Sequence, residues 1–366
     1  MAISFLRTRA RVLGVVLLAG AVLGGGWWLG RDAGAPPPSA SDLRRVHFAT
    51  DWKAEAEHGG FYQAQALGFY RAAGLEVTIH PGSPTINIPQ LIGAGEVDFA
   101  LGSNSFMPLN MVAADLPAKA VMAPFQNDPQ VLMTHPRPDI QSIADMKGKP
   151  IYISDSSIGG FWLWLKARHG FTDAQVRKYN YSLAPFLADE NAIQQGYLTS
   201  EPYTVETMSG IRPQIFLLSD DGYPGYAGLV LARTELIEQE PQLVAAFVDA
   251  SIRGWYSYLY GDATPGNRLI LRDNPEMRQD ILDQAIAKMK RYGIVDSGLA
   301  RTQGIGAMAP ERWQAFFDVM AARGLYAPDL DWRAAFTTQF VNQGRAKYAP
   351  EQSPSQNPSQ NPSQNP

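Results

Sequence analysis

Three clusters of polar residues carry the chemistry this chain could do: Asp51, Trp52, Glu55, Glu57 and His58; Ser103, Asn104 and Ser105; and Asp155, Ser156 and Ser157 followed by Gly159 and Gly160. Carboxylates accept N–H donors in charge-assisted bonds stronger than neutral ones, and an indole face stacks on a flat ring. Forks of Arg or Lys, which suit nitrate or sulfonate, are scarce in these clusters, Lys53 being the exception. An anionic solute would have to rely on Lys53 and on helix N-termini. The five His are scattered, no HExxH pattern occurs, and no Ser-His-Asp order stands out, so nothing here assembles a metal or a nucleophile site. Helix capping by Ser, Asn or Asp accounts for any one of these clusters. Three together point to a shared cleft.

Strand and helix patterns alternate around these clusters. Val46–Ala49, Leu75–Ile79, Val97–Leu101 and Ala120–Ala123 read as strands, with helices over Gly59–Ala73, Ile86–Gly93 and Phe106–Ala114 between them. Val131–Thr134 follows, and the grammar restarts with a short helix at Ile140–Met146, strands at Ile151–Ser154, Tyr179–Leu183 and Ile215–Leu218, and a helix at Phe161–His169. Strand–helix alternation of this kind builds a mainly parallel sheet, whose ligands sit beyond the carboxyl ends of the strands. The three clusters all lie there. After a return strand at Leu229–Ala232 the chain turns helical over Pro241–Leu259, Glu276–Arg291 and Pro310–Ala322.

Length and composition set the frame for these elements. With 366 residues, 45% hydrophobic and 18% charged, the chain can form two α/β lobes, and its formal charge of -4 supplies no footprint for nucleic acid. The absence of cysteine excludes disulfides, thiol catalysis, thiolate metal sites and a lipidated cysteine anchor. Arg7, Arg9 and Arg11 precede an apolar run over Val12–Gly30, which reads either as a cleaved signal peptide or as a membrane anchor with Trp27 and Trp28 at the interface. The Ser-Gln-Asn-Pro repeats of Ser353–Pro366 hold no apolar residues to pack and are expected to be disordered. The expected organisation is a leader or anchor with linker over 1–44, a first part of lobe 1 over 45–134, lobe 2 over 135–227, a return to lobe 1 with C-terminal helices over 228–344, and a tail over 345–366.

Particular segments then carry a family resemblance. Asp51-Trp52, His58-Gly59-Gly60-Phe61-Tyr62, Ala64–Tyr70, Leu91–Phe99, Ile143–Lys149 and Gly222–Tyr226 resemble the periplasmic substrate-binding proteins of ABC importers, in the subfamily that captures thiamine-pyrimidine precursors, sulfonates and riboflavin. The resemblance implies an α/β, two-lobed, periplasmic-binding-protein-like (type II) fold with a helical C-terminal part. It also implies crossings near Val131–Thr134 and Gly228–Ala232, and closure on a small solute. Partners implied are that solute, an ABC permease and its ATPase; no cofactor is expected. Fungal members of the same superfamily are enzymes that build the thiamine pyrimidine through a cysteine-rich iron-binding segment, placed about where this chain has Gly222–Tyr226 and no cysteine. A non-catalytic extracytoplasmic receptor for an aromatic heterocycle is therefore the expectation. An enzyme acting on a pyrimidine and a membrane-anchored sensory protein are the alternatives, with sulfonate, nitrate or riboflavin as other solutes.

Eleven ligand-contacting residues follow from the clusters and the resemblance: Trp52, His58, Phe61, Tyr62, Ser103, Asn104, Asp155, Ser156, Glu201, Tyr223 and Tyr226. Glu201 belongs to a Glu-Pro-Tyr turn like the family's own. Phe106, Tyr181 and Glu57 are expected nearby. Packing alone would equally account for Trp52 in a lobe core, His58 at a helix start, and Tyr223 and Tyr226 around the Pro224-Gly225 turn.

Overall fold

The computed structural model describes residues 43–83, 86–180 and 182–348, so the apolar run of Val12–Gly30, Tyr181 and the repeats of Ser353–Pro366 lie outside the described residues. Among the described residues ten strands form two five-stranded sheets. The first contains β1 (Arg44–Ala49), β2 (Leu75–His80), β3 (Phe99–Asn104), β4 (Ala118–Met122) and β10 (Ala227–Arg233), in the order β2-β1-β3-β10-β4. The second contains β5 (Gln130–Thr134), β6 (Ile151–Ile153), β7 (Val176–Lys178), β8 (Ile193–Tyr197) and β9 (Gln214–Leu217), in the order β7-β6-β8-β5-β9. Strand β2 alternates strictly, with Leu75, Val77 and Ile79 buried and their neighbours exposed, as an edge strand with one wet face should. Strand β10 is buried through Ala232 and reads as a continuous apolar run, as a sheet-interior strand covered on both faces does.

Each sheet carries one strand that arrives directly from the other lobe and runs against its neighbours. Strand β10 pairs antiparallel with β3 and β4, and β5 pairs antiparallel with β8 and β9. The expected crossings at Val131–Thr134 and Gly228–Ala232 are thus displaced: both segments are strands inside a sheet, and the crossings are 123–129 and 218–226. The lobe boundary expected after Thr134 moves with them, because β5 already belongs to the second sheet. Sequence shows a strand but not its partner. The first crossing lies beside the start of β10, where the second ends, joined by the bonds Phe125 N–H to Ala227 O and Ala227 N–H to Phe125 O, both 3.2 Å.

Helices cover the first sheet and tie the crossings down. The helix expected over Gly59–Ala73 is two, Gly59–Ala66 and Phe69–Ala72, broken at Gly68 where φ is +72°. Helix Gly59–Ala66 runs against Pro241–Tyr260 at such close range that a Cβ on Gly254 would collide with the Gly60 carbonyl oxygen. Helix Pro310–Ala321 pins the second crossing: Arg312 donates to the carbonyls of Pro224 at 3.1 Å and Gly225 at 2.8 Å, with its guanidinium 4.0 Å from the centre of the Tyr226 ring. Helix Gln279–Arg291, separate from Thr264–Asp273, reaches the second lobe, where Lys288 donates to Leu198 O at 2.9 Å and Gln284 to Thr199 O. Among the described residues no helix is long and apolar enough to cross a membrane.

Candidate functional site

A cavity enclosing about 690 Å³, its open mouth included, lies between the lobes beyond the carboxyl ends of β1, β3, β6 and β8. The loop after β1 and the 3-10 turn Ala56–His58 bring Asp51, Trp52, Glu55, Glu57 and His58 to its wall. The end of β3 adds Ser103 and Asn104, and the turn after β6 adds Ser156 and Ser157. Strand β8 adds Gln195, Gly196 and Tyr197, and the helix that follows adds Glu201. Leu101, Phe125, Gln130 and Gly228 complete the wall.

Four carboxylates converge here. Asp51 accepts the Ser103 hydroxyl through one oxygen, and its other oxygen lies 3.7 Å from His58 Nε2. Nδ1 of His58 makes no hydrogen bond within the protein, although the residue is 2% exposed. Glu57 accepts the hydroxyl of Thr199 from the other lobe. Glu201 accepts the Tyr197 N–H at 2.7 Å and the Tyr179 hydroxyl at 3.2 Å. Gly196 makes room for it, since a Cβ there would come 2.9 Å from the Glu201 Cβ. Burial pushes the Glu201 carboxyl up to about 7, the nearby Glu57 adding to the shift while the Tyr197 and Tyr179 donors oppose it. Glu55 is raised well above the usual carboxylate range, first by burial and then by the charges of Glu57 and Glu201. Among the described residues no Lys or Arg lines this cavity. Lys53 faces an outer pocket and pairs with Glu276.

Of the eleven expected residues, Trp52, His58, Ser103, Asn104, Ser156 and Glu201 line the cavity. Asp155 stands outside it, on an adjoining groove, in an exposed ion pair of 3.0 Å with Lys178. The other four point elsewhere and are corrected to core positions. Phe61 packs 4.8 Å from Phe48 and 5.8 Å from Trp255, measured between ring centres. Tyr62, on the same helix, is fully buried and donates to Asp273 at 3.2 Å. Tyr223 is packed among Phe106, Trp164 and Phe316, and Tyr226 accepts the Ala309 N–H at 3.0 Å beneath Arg312. The physical reason is similar for all four: Phe61, Tyr223 and Tyr226 are claimed by aromatic rings of the C-terminal helices or the second lobe, and Tyr62 by Asp273 of a C-terminal helix.

Gln130, Gln195 and Tyr197 were not expected. Their strands hide them: Ile193-Gln194-Gln195-Gly196-Tyr197 lacks the β-branched apolar alternation of a strand, yet its first four residues are buried. Gln195 accepts Ser154 N–H at 2.7 Å and Gln130 donates to Gly196 O at 3.0 Å, so both glutamines brace the wall they line. Among the described residues no group of three or more His, Asp or Glu is placed to hold a metal ion.

A family model described as NMT1/THI5 like matches residues 55–261, more than half of the chain and most of the wall just described. The chain belongs to the NMT1/THI5-like family. Its relatives include the riboflavin-binding protein RibY of Chloroflexus aurantiacus, 26% identical over 321 residues, covering 85% of this chain and 90% of that protein. The formylaminopyrimidine-binding protein of Halalkalibacterium halodurans is 26% identical over 258 residues, covering 67% of this chain and 76% of its own. Among solved structures, the alkanesulfonate-binding protein SsuA of Xanthomonas axonopodis pv. citri, bound to MOPS, superposes with a TM-score of 0.59 at 14% identity, covering 81% of this chain and 99% of that one. This NMT1/THI5-like chain therefore has the periplasmic-binding-protein fold, in an α/β architecture of two mixed sheets.

Proposed function

We propose that this protein is the extracytoplasmic solute-binding component of an ABC importer and that its solute is a small, flat nitrogen heterocycle presenting N–H donors, of the aminopyrimidine or flavin class. The observation that carries this reading is the wall of Asp51, Glu55, Glu57 and Glu201, to which the described residues add no Lys or Arg. A carboxylate accepts paired donors well, whereas nitrate or a sulfonate placed there would meet like charge with no guanidinium or ammonium to hold it. Trp52 and Tyr197 offer flat faces to the same ligand. Riboflavin and formylaminopyrimidine, for whose binding two relatives are named, are both flat nitrogen heterocycles, which supports the class.

The binding needs no covalent step: affinity comes from stacking, charge-assisted hydrogen bonds and exclusion of water as the lobes close. A permease and its ATPase would receive the closed form, and the N-terminal apolar run would carry the body across a membrane as leader or anchor. Thermal-shift screening followed by calorimetry tests the reading. Saturable stabilisation by an aminopyrimidine or a flavin is expected, because a ligand that binds only the folded form raises its midpoint. Stabilisation by an alkanesulfonate or nitrate alone would overturn the solute class.

A further inference from the structure

The carboxylate cavity is not the end of the cleft. A second, larger groove, enclosing about 1400 Å³ with its opening, adjoins it and shares Asp51, Ser103, Asn104 and Ser156 with it. The two spaces therefore touch along a wall of small polar side chains. Beyond that wall the groove changes character. Asp155 stands on it from the second lobe, while Met107 and Met111 come from helix Phe106–Ala113 of the first. An acceptor-bearing side and a flexible apolar side thus belong to one channel.

We propose that the solute has two parts: a flat head held among the carboxylates, and a flexible hydroxylated side chain that passes Ser103 and Asn104 into this groove. The proposal rests on the heterocycle reading and deepens it. A polyhydroxylated chain fits both sides of the groove, because its hydroxyls can donate to Asp155 beside its Lys178 partner and to the Ser103 hydroxyl oxygen, and can accept from the Asn104 amide, while its carbons lie on methionine. A bare ring would leave the groove to water. Asn110, which lines the outer part, is already committed, donating to Gly159 O at 2.7 Å across the cleft and accepting the Tyr326 hydroxyl at 2.8 Å. That bridge spans the lobes beside the groove, so a chain lying there would be enclosed by the same contact.

Calorimetry on the full chain with matched pairs tests this: lumiflavin against riboflavin, which differ in a methyl or a ribityl substituent, and 4-amino-2,5-dimethylpyrimidine against the same ring with a tetrahydroxypentyl chain at C5. For the ring that binds, the chain-bearing member is expected to bind about tenfold or more tightly, the equivalent of one or two net hydrogen bonds. Met107→Trp, which fills the groove, should bring the ratio within each pair close to one. If that variant melts early, Asp155→Ala, at an exposed position, should reduce the same ratio. Equal affinity for both members of a pair, or a ratio that neither variant moves, overturns the two-part solute and leaves the heterocycle reading standing. Failure of both rings to bind overturns the two together.

Discussion

The hydroxyl of Thr199, on the second lobe, donates to the carboxylate of Glu57, on the first, and both side chains are buried. The bond ties the lobes together on the wall of the cavity itself. Thr199→Val keeps the shape and removes the donor, leaving a buried carboxylate short of a partner only when the lobes are shut. Solute affinity is expected to fall by roughly five- to tenfold, mainly through faster release, since interface changes of this kind act chiefly on dissociation. Stopped-flow release of a fluorescent flavin measures it; an unchanged off-rate would show that closure does not use this bond.

Glu201 links the cavity to pH. Its folded-state value is raised from 4.5 to about 7, so the folded form holds a proton that the unfolded form has released. This contribution to stability is full below the unfolded value and is lost as pH rises through about 7. Asp128, raised by burial from 3.8 to about 7, works in the same direction. The melting temperature contributed by these groups should therefore decline between pH 5 and pH 8, and Glu201→Gln should flatten that slope. A slope identical in the variant would remove Glu201 as its source.

Solute binding should depend on pH in the opposite sense. A ligand that donates to Glu201 prefers the ionised carboxylate, so binding below pH 7 releases a proton and affinity rises with pH by up to about tenfold per unit. Glu201→Gln is expected to weaken binding by roughly ten- to a hundredfold at pH 7.5, the range for a hydrogen bond to a charged group. Calorimetry in two buffers of different ionisation heat counts the proton released. No proton release at pH 6 would place the ligand away from this carboxylate.

Gly254 is held glycine by geometry. A methyl group there has nowhere to go but into the Gly60 carbonyl and the side chain of Ala64. Gly254→Ala should cost about 1–3 kcal/mol or more by forcing the two helices apart, the range for an overpacked contact. Urea unfolding reads the loss, and a variant as stable as the parent would mean that helix Pro241–Tyr260 slides without penalty.

Tyr223 separates core from cavity. Its ring is buried and its hydroxyl makes no hydrogen bond within the protein. Tyr223→Phe should leave solute affinity within about twofold and stability equal to or above the parent, because it removes a buried polar atom rather than a bond. A large loss of affinity in calorimetry would put this ring back on the ligand.

What the chain reveals without coordinates is local. The alternation in Leu75–His80, the polar residues that follow β1 and β3, and the glycine at 74 are each read from neighbours in sequence, since they report which face of one strand is wet or where one helix must stop, whereas the break at Gly68 is not. Five of the six expected residues that line the cavity, Trp52, His58, Ser103, Asn104 and Ser156, follow strands whose direction a strand–helix alternation already fixes, while Glu201 is legible only through its Glu-Pro-Tyr turn. The sequence alone therefore determined the kind of elements around the three clusters, the clusters themselves and their acidic, donor-seeking character. The tertiary structure decided which aromatic rings line the cavity. Phe61 and Tyr62 stand three and four residues beyond the cavity-lining His58. They are nevertheless removed from the wall, Phe61 packing on Trp255 and Tyr62 bonding Asp273, both about two hundred residues further along the chain. Only folding brings Glu201 against Glu55 and Glu57, and only pairing with β5 and β6 turns the unpromising Gln194-Gln195-Gly196 into a buried strand. Burial is a property of the partner surface as much as of the residue, and that partner is not in the neighbouring sequence.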